Sequence, residues 1–211
     1  MRPPLIKICG AAAPLPLANI DTDVIIRIER LTAEHPEGLA AFAFEALRFD
    51  ADGRAVPDFP FNQPRWRNAS ILIAGANFGC GSSREPAVTA LMDMGLRCII
   101  ASSFGDIFYA NCFQNGLLPI RLSEAAIASL TDIATRIDAP WEIDLDRCQI
   151  TAPQCLPVEF AIDGSQRESL MTGLDDLELT LRDMKGIEQW QKEDRALRPW
   201  VWQPVAREAS R

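Results

Sequence analysis

Short apolar runs alternate with amphipathic stretches through the middle of the chain, and this rhythm sets the expected architecture. Residues 70–74 (Ser-Ile-Leu-Ile-Ala), 98–101 and 117–120 are brief, apolar and bounded by turn residues, as buried strands are. Between the first two, Val88, Leu91 and Met94 make an apolar stripe at helical spacing that starts after Glu85 and ends at Gly95. Pro86 suits the first turn of that helix, where its missing N–H is not needed. An aromatic-rich helix is predicted over residues 106–113, closed near Asn115-Gly116, and another over 124–136 behind a Ser123 cap. Strands and helices in this order predict a parallel α/β core joined by right-handed crossovers.

The flanks read differently. Residues 5–9 make a first strand, and Pro14 and Pro16 turn 11–17 into a loop. Asp21-Thr22-Asp23 turns the chain, and Val24-Ile25-Ile26 has a strand's β-branched composition. Residues 27–49 are helical in composition, with the clearest spacing over 38–48, and 50–53 stop that pattern. Pro57, Pro60 and Pro64 then impose an irregular loop. Residues 141–145, 149–151 and 158–162 alternate like antiparallel strands. We therefore expect an α/β domain over 1–182 and a charged tail over 183–211. Trp190, Trp200 and Trp202 predict that the tail docks on the domain or on a partner.

Composition narrows the function. The chain has 211 residues, 48% of them hydrophobic, and a net charge of -8. Such a charge repels a phosphate backbone, so no nucleic-acid partner is expected. Arg65-Trp66-Arg67 is the tightest basic-aromatic cluster, and it reads as surface loop. No apolar run reaches the roughly 20 residues that span a bilayer, and the N-terminus breaks too early for a secretory signal. A soluble cytoplasmic protein without a membrane partner is expected. Six cysteines occur with no C-x-x-C pair, and His35 is the single histidine, so no usual zinc site is encoded. Most of these thiols read as small hydrophobes. Cys80, between two glycines, is the one expected to be accessible.

The densest chemistry lies in Ile71-Leu-Ile-Ala-Gly-Ala-Asn-Phe-Gly-Cys-Gly-Ser-Ser-Arg-Glu85. A strand, a glycine turn, two hydroxyls, an arginine and a helix start make a device for gripping an anion beside a hydroxyl. The first turn of a helix offers unpaired N–H groups and partial positive charge. Arg84 adds a planar fork suited to a carboxylate. Ser82 and Glu85 also fit the capping box S-x-x-E, so capping stands beside a site as a reading of the same residues. No lysine follows the glycines, so this is not a phosphate-binding P-loop, and the third glycine of the dinucleotide fingerprint is missing. Asp21 and Asp23 likewise support either an Asx-type turn or chemistry.

Asn77-Phe-Gly-Cys-Gly-Ser-Ser-Arg-Glu85 resembles the signature of the small subunits of 3-isopropylmalate dehydratases, the separate-chain form of the aconitase swivelling domain. Asn19-Ile-Asp-Thr-Asp-Val-Ile-Ile26 and Ser103-Phe-Gly-Asp-Ile-Phe-Tyr-Ala-Asn-Cys-Phe-Gln-Asn-Gly-Leu-Leu-Pro119 resemble the same family in the same order, with a weaker match over 167–181. The resemblance implies an aconitase-like swivelling domain, a layered β/β/α fold with a mostly parallel core sheet. It implies a hydro-lyase acting on a small hydroxy-dicarboxylate in leucine biosynthesis, with Ser82 as catalytic base and Asp23 orienting its neighbours. Ser83 and Arg84 would bind substrate, and residues soon after Asp23 would recognise its side chain, which brings in Arg27 and Arg30. The [4Fe-4S] cluster would sit on a large partner subunit, with no cofactor or metal on this chain, leaving half an active site here. Two departures stand out: Pro86 replaces the usual His, and Arg27 the usual Pro. Arg27 could bind an additional carboxylate or pair with Glu29 or Glu34. A paralogous hydro-lyase acting on citraconate, dimethylmalate or homoaconitate, and a non-catalytic binding module, are the alternatives.

Overall fold

The computed structural model describes residues 2–32, 35, 38–81 and 85–202. Two compact units divide the chain, Met1–Gly173 and Leu174–Arg211, so the expected boundary at 182/183 falls inside the second.

The first unit contains two four-stranded sheets. Their strands are β1 (Lys7–Gly10), β2 (Ala12–Leu15), β3 (Ile71–Ala74), β4 (Cys98–Ala101), β5 (Leu118–Arg121), β6 (Trp141–Asp144), β7 (Gln149–Thr151) and β8 (Val158–Glu159). Strands β2-β3-β4-β5 are all parallel, with Leu72 opposite Ala13 and Ile99, and Ile99 opposite Pro119. Strands β1-β6-β7-β8 are antiparallel. The helices are α1 (Thr22–Ile25), α2 (Glu45–Arg48), α3 (Glu85–Asp93), α4 (Asp106–Asn115), α5 (Glu124–Arg136) and α6 (Gly164–Thr172).

Strands β3 and β4 are continuous apolar runs because both faces of the parallel sheet are covered. On one face, Leu72, Ile99 and Ala101 join Val88 and Leu91 of α3, Phe108 of α4 and the loop residues Phe78 and Phe104. On the other, Ile71, Ile73, Ile100 and Ile120 meet Ile127, Leu130 and Ile133 of α5, with Ile8, Trp141 and Ile143 of the antiparallel sheet. A sheet between helices on one side and a second sheet on the other is the layered β/β/α arrangement with a parallel core. Gly116, at φ 85, closes α4, and the Ser123 hydroxyl caps α5 by accepting from Ala126 N–H.

Three expectations are corrected. Residues 11–17 are not all loop, because 12–15 form β2. Pro14 is tolerated there since β2 lies at the sheet edge, where a missing donor breaks no central ladder. Val24 and Ile25 are helical rather than extended, because the Asp21 carboxylate accepts from Val24 N–H at 2.7 Å and starts α1. That single cap outweighs β-branched propensity, with Ile25 and Ile26 fully buried as the reward of the turn. The helix expected over 38–48 shrinks to α2. Phe44 enters it at φ 55 with its ring buried against Phe59 and Phe61, and its N–H donates to Ile25 C=O. Tertiary burial of an aromatic ring overrides the helical pattern there.

The second unit holds α7 (Asp176–Arg182), α8 (Met184–Leu197) and a 3₁₀ turn, Pro199–Trp202. Asp175 and Glu178 form a reciprocal capping box on α7. Trp202 folds back within the unit: its Nε1–H donates to Asp194 at 2.8 Å, and the Arg195 guanidinium lies 4.5 Å over its ring. Among the described residues no helix is long and apolar enough to cross a membrane.

The antiparallel sheet carries an acid-sensitive clasp. Asp144 on β6 accepts from Arg147 N–H at 2.9 Å and from Lys7 of β1 at 3.1 Å, and these bonds hold its carboxyl below the ordinary 3.8. A lowered carboxyl stabilises the fold above its unfolded-state value and loses that contribution as pH falls through the folded value. Asp144→Asn should melt below the parent at about pH 7 and match it by about pH 2, measured by thermal denaturation.

Candidate functional site

The loops leaving β2, β3 and β4 gather at the carboxyl edge of the parallel sheet, where open α/β sheets bind ligands. Each is one of the three motif blocks, and backbone hydrogen bonds join them. Asn19 N–H donates to Ala76 C=O at 2.8 Å, Gly79 N–H to Ile20 C=O at 2.7 Å, and Thr22 N–H to Cys80 C=O at 3.1 Å. On the far side, Phe78 N–H donates to Ser103 C=O at 3.0 Å and Gly105 N–H to Phe78 C=O at 2.9 Å. The β3 loop is therefore the middle rung of a small parallel ladder, bridged to Asp21 through Cys80 and to Phe104 through Phe78.

Side chains reinforce the ladder. Asn77 and Asn19 both adopt φ 56, a left-handed conformation asparagine tolerates, and Asn77 Nδ2–H donates to Asn19 Oδ1 at 2.9 Å. The Ser103 hydroxyl accepts from Asn77 N–H at 2.8 Å. Glycine is required at two points. Gly79 has φ 70, and a Cβ there would lie 2.2 Å from the Phe108 ring. A Cβ on Gly105 would lie 2.5 Å from Gly79 O. Close approach of two loops, with α4 packed beneath, explains the glycine spacing.

Ser82, Ser83 and Arg84 lie outside the described residues, and with them the serine half of the capping-box reading. Their flanks are fixed. A Cβ on Gly81 would sit 3.5 Å from Asp21 Cβ, and Glu85 opens α3 with its carboxylate accepting from Asn115 at 3.3 Å. Asp21 takes the capping role at the turn. Asp23 stands exposed in the first turn of α1, two residues from the cap that bridges Cys80. The fold thus brings Asp23 and Gly81, which leads into the Ser-Ser-Arg segment, to one edge.

Arg27 and Arg30 differ sharply. Arg30 grips Glu45 with two bonds, 3.0 and 2.5 Å, and its guanidinium lies 4.7 Å over the Phe42 ring. His35 donates from Nε2 to Arg30 C=O at 2.6 Å and packs against Phe42. The bond to Arg30 is the main reason the Glu45 carboxyl is held below its ordinary value, and the charge of Arg27 adds to it. Arg27 itself is exposed, lines a cleft with Glu45, Phe49 and Asp50, and has no ion pair among the described residues. Glu45 went unnoticed in the sequence because the pair spans fifteen residues and no local pattern links them.

The remaining cysteines and basic residues fall into structural places. Burial pushes the Cys98 and Cys112 thiols well up, which keeps them neutral within the core. Cys80 is half-buried rather than open. Among the described residues no three His, Cys, Asp or Glu side chains come together as a metal site. Arg65 donates to Ala134 and Thr135 carbonyls, both at 2.8 Å, at the end of α5, while Trp66 is buried. The Arg65 cluster caps a helix, where cations are favoured.

The packing around Gly79 makes a direct test. Gly79→Ala should cost roughly 1–3 kcal/mol through collision with Phe108, on top of the positive-φ strain. Gly53→Ala, at φ 75 with no atom within 4 Å of the new Cβ, should show the strain alone and a clearly smaller loss. Denaturant unfolding of both variants measures the difference.

The chain is similar to known proteins along nearly its whole length. Residues 2–125, more than half of it, match the aconitase C-terminal domain. It is 48% identical over 197 residues to the 3-isopropylmalate dehydratase small subunit of Sinorhizobium fredii, covering 93% of this chain and 98% of that protein. The protein of the same name from Jannaschia sp. is 48% identical over 193 residues, 91% of this chain and 96% of the relative. The crystal structure of 3-isopropylmalate dehydratase from Methanocaldococcus jannaschii superposes with a TM-score of 0.64 at 30% identity, covering 87% of this chain and 99% of that one. With its three motif blocks joined at the edge of a parallel sheet, the chain belongs to the family of 3-isopropylmalate dehydratase small subunits, within the aconitase C-terminal domain fold.

Proposed function

We propose that this chain is the small subunit of a two-subunit hydro-lyase, 3-isopropylmalate dehydratase, which interconverts 2- and 3-isopropylmalate by removing and re-adding water in leucine biosynthesis. The observation that carries this reading is the convergence of the Asp21–Asp23, Asn77–Gly81 and Ser103–Asp106 segments on one sheet edge. Full-length similarity to proteins of that name supports it.

The reaction needs a base for a proton on carbon, a grip on carboxylate and a Lewis acid for the departing hydroxide. We assign the base to Ser82, acting as an alkoxide that loses its own proton to solvent before substrate binds and then takes the carbon-bound proton of the substrate. Serine is a weak acid, so its anion requires donors aimed at it in advance. A glycine turn leading into a helix start can supply backbone N–H groups, and Arg84 adds positive charge. Ser83 hydrogen-bonds the substrate and Arg84 holds a carboxylate through its planar fork. Asp23 orients these groups from α1.

The Lewis acid is a [4Fe-4S] cluster on the large partner subunit. The described residues of this chain do not suit that group: two of the six thiols are buried and neutral in the core, and no ligand cluster forms. The chain contributes binding and proton transfer, and its activity depends on its partner.

The segment after Asp23 is assigned to the substrate side chain, with unequal arginines. Arg30 is committed to Glu45 and Phe42 and shapes the wall, whereas Arg27 presents its charge outward.

Two measurements test these roles in enzyme reconstituted anaerobically with its cognate large subunit. Ser82→Ala should keep assembly and lose roughly 10²–10⁴-fold in kcat, the usual contribution of a positioned base; unchanged turnover would sink the assignment. Across isopropylmalate, citraconate, dimethylmalate and homoaconitate, isopropylmalate should be preferred. Arg27→Gln should raise KM for the preferred acid about tenfold with little change in kcat, as loss of a contact made equally in the ground and transition states does. Arg30→Gln should instead lower the melting temperature only slightly, since the pair with Glu45 is partly exposed.

A further inference from the structure

The loops that leave β2 and β3 run side by side toward the half-site, and two asparagines join them. At the root, a Cβ on Gly75 would lie 2.5 Å from the Leu17 backbone, so the loops touch from the start. Further along, backbone bonds pair Asn19 with Ala76, Ile20 with Gly79 and Thr22 with Cys80. Among these rungs, Asn19 and Asn77 each stand at φ 56 and meet through their side chains, with Asn77 Nδ2–H donating to Asn19 Oδ1 at 2.9 Å.

Backbone geometry does not call for asparagine at either position. Glycine takes the left-handed region without strain, and this chain uses it so at Gly79 and Gly81. Stability does not call for the pair either. Both residues are exposed, and a hydrogen bond between exposed amides replaces bonds to water at little net gain. What the side chains add is a link. Asn77 is where three loops meet: its side chain reaches the β2 loop, and its backbone N–H donates to the Ser103 hydroxyl of the β4 loop at 2.8 Å. One residue thereby sets the spacing of the middle loop from both neighbours. Residues held in a sparsely populated backbone region by contacts on both sides are concentrated at functional sites.

From Asn77 the chain passes through Gly79 and Gly81, both at positive φ, and the next residue is Ser82. Two glycines in so short a stretch give it few torsional restraints of its own, so its course depends on the contacts that hold the loop. We infer that Asn19 and Asn77 are positioning residues for the hydro-lyase reaction: their amide bond locks the β3 loop against the β2 loop and so sets where Ser82 stands relative to Asp23. This rests on the small-subunit reading and on Ser82 as base, and it deepens both. A base must stand within hydrogen-bond reach of the proton it takes, and a misplacement of about 1 Å can cost on the order of a hundredfold in rate.

Steady-state kinetics of the full chain test the inference, after anaerobic reconstitution with the cognate large subunit and on the parent's preferred acid. Asn77→Gly and Asn19→Gly leave the backbone free to take its angle and remove the amide bond. Each should lower kcat roughly ten- to hundredfold, with KM within about twofold of the parent. The melting temperature of the free chain and its affinity for the large subunit should stay near the parent's. The double variant identifies the cause. If the two amides act through one bond, removing both costs no more than removing either, whereas independent effects of two added glycines multiply. Parent-like kcat in both single variants, or multiplying losses in the double, would overturn the inference and leave the small-subunit reading standing. A loss matched by a lower melting temperature or weaker assembly would mark a structural bond and overturn it as well. A raised KM at unchanged kcat would mark direct contact with substrate, with the same consequence. Parent-like turnover by Ser82→Ala, assayed alongside, would remove the base that the pair positions and defeat the inference by that route. A reconstituted parent without turnover on any of the four acids would defeat the small-subunit reading and the inference together.

Discussion

Gly79 donates its N–H to Ile20 C=O at 2.7 Å while its missing side chain lets the Phe108 ring lie directly beneath it. On that one approach depend the depth of the motif loop, the path of the Asp21 turn and the start of α4. The loop is pinned from both sides, by Ile20 and Thr22 on one and by Ser103 and Gly105 on the other. A backbone held in this way is preorganised. Donors fixed before a ligand arrives need no reorganisation when it binds or reacts.

The sheet beneath supplies the rigidity. Its middle strands are buried on both faces, so a side chain on β3 or β4 cannot shift without disturbing one of two cores. The antiparallel sheet and α5 back one face, and α3 and α4 the other.

The segment that follows α1 obeys another logic. The described residues between 27 and 48 contain little regular structure, and the Arg30–Glu45 pair does the work that a longer helix would otherwise do, with Phe42 and His35 completing the clasp. Both members are partly exposed, so the pair positions the segment more than it stabilises the fold. A segment fixed by side chains rather than by a backbone ladder can change its contacts one residue at a time.

The parallel core was legible in the sequence because its determinants are local: period and length of apolar runs, Gly95 and Gly116 as stops, Ser123 as cap. The turn of the Asn77–Gly81 block was legible for the same reason, since its strand, asparagine and glycines are neighbours in the chain. Tertiary structure alone decided the rest. Pro14 could be a strand residue only once β2 was known to be an edge, and Val24 could be helical only with Asp21 as its cap. Phe44 left the helical pattern because burying its ring beside Phe59 and Phe61 outweighed an unusual backbone angle. Glu45 became the partner of Arg30, and α5 the neighbour of Gly75, through contacts that span fifteen residues or more. Local sequence fixes what each segment prefers, and only packing determines which segments meet.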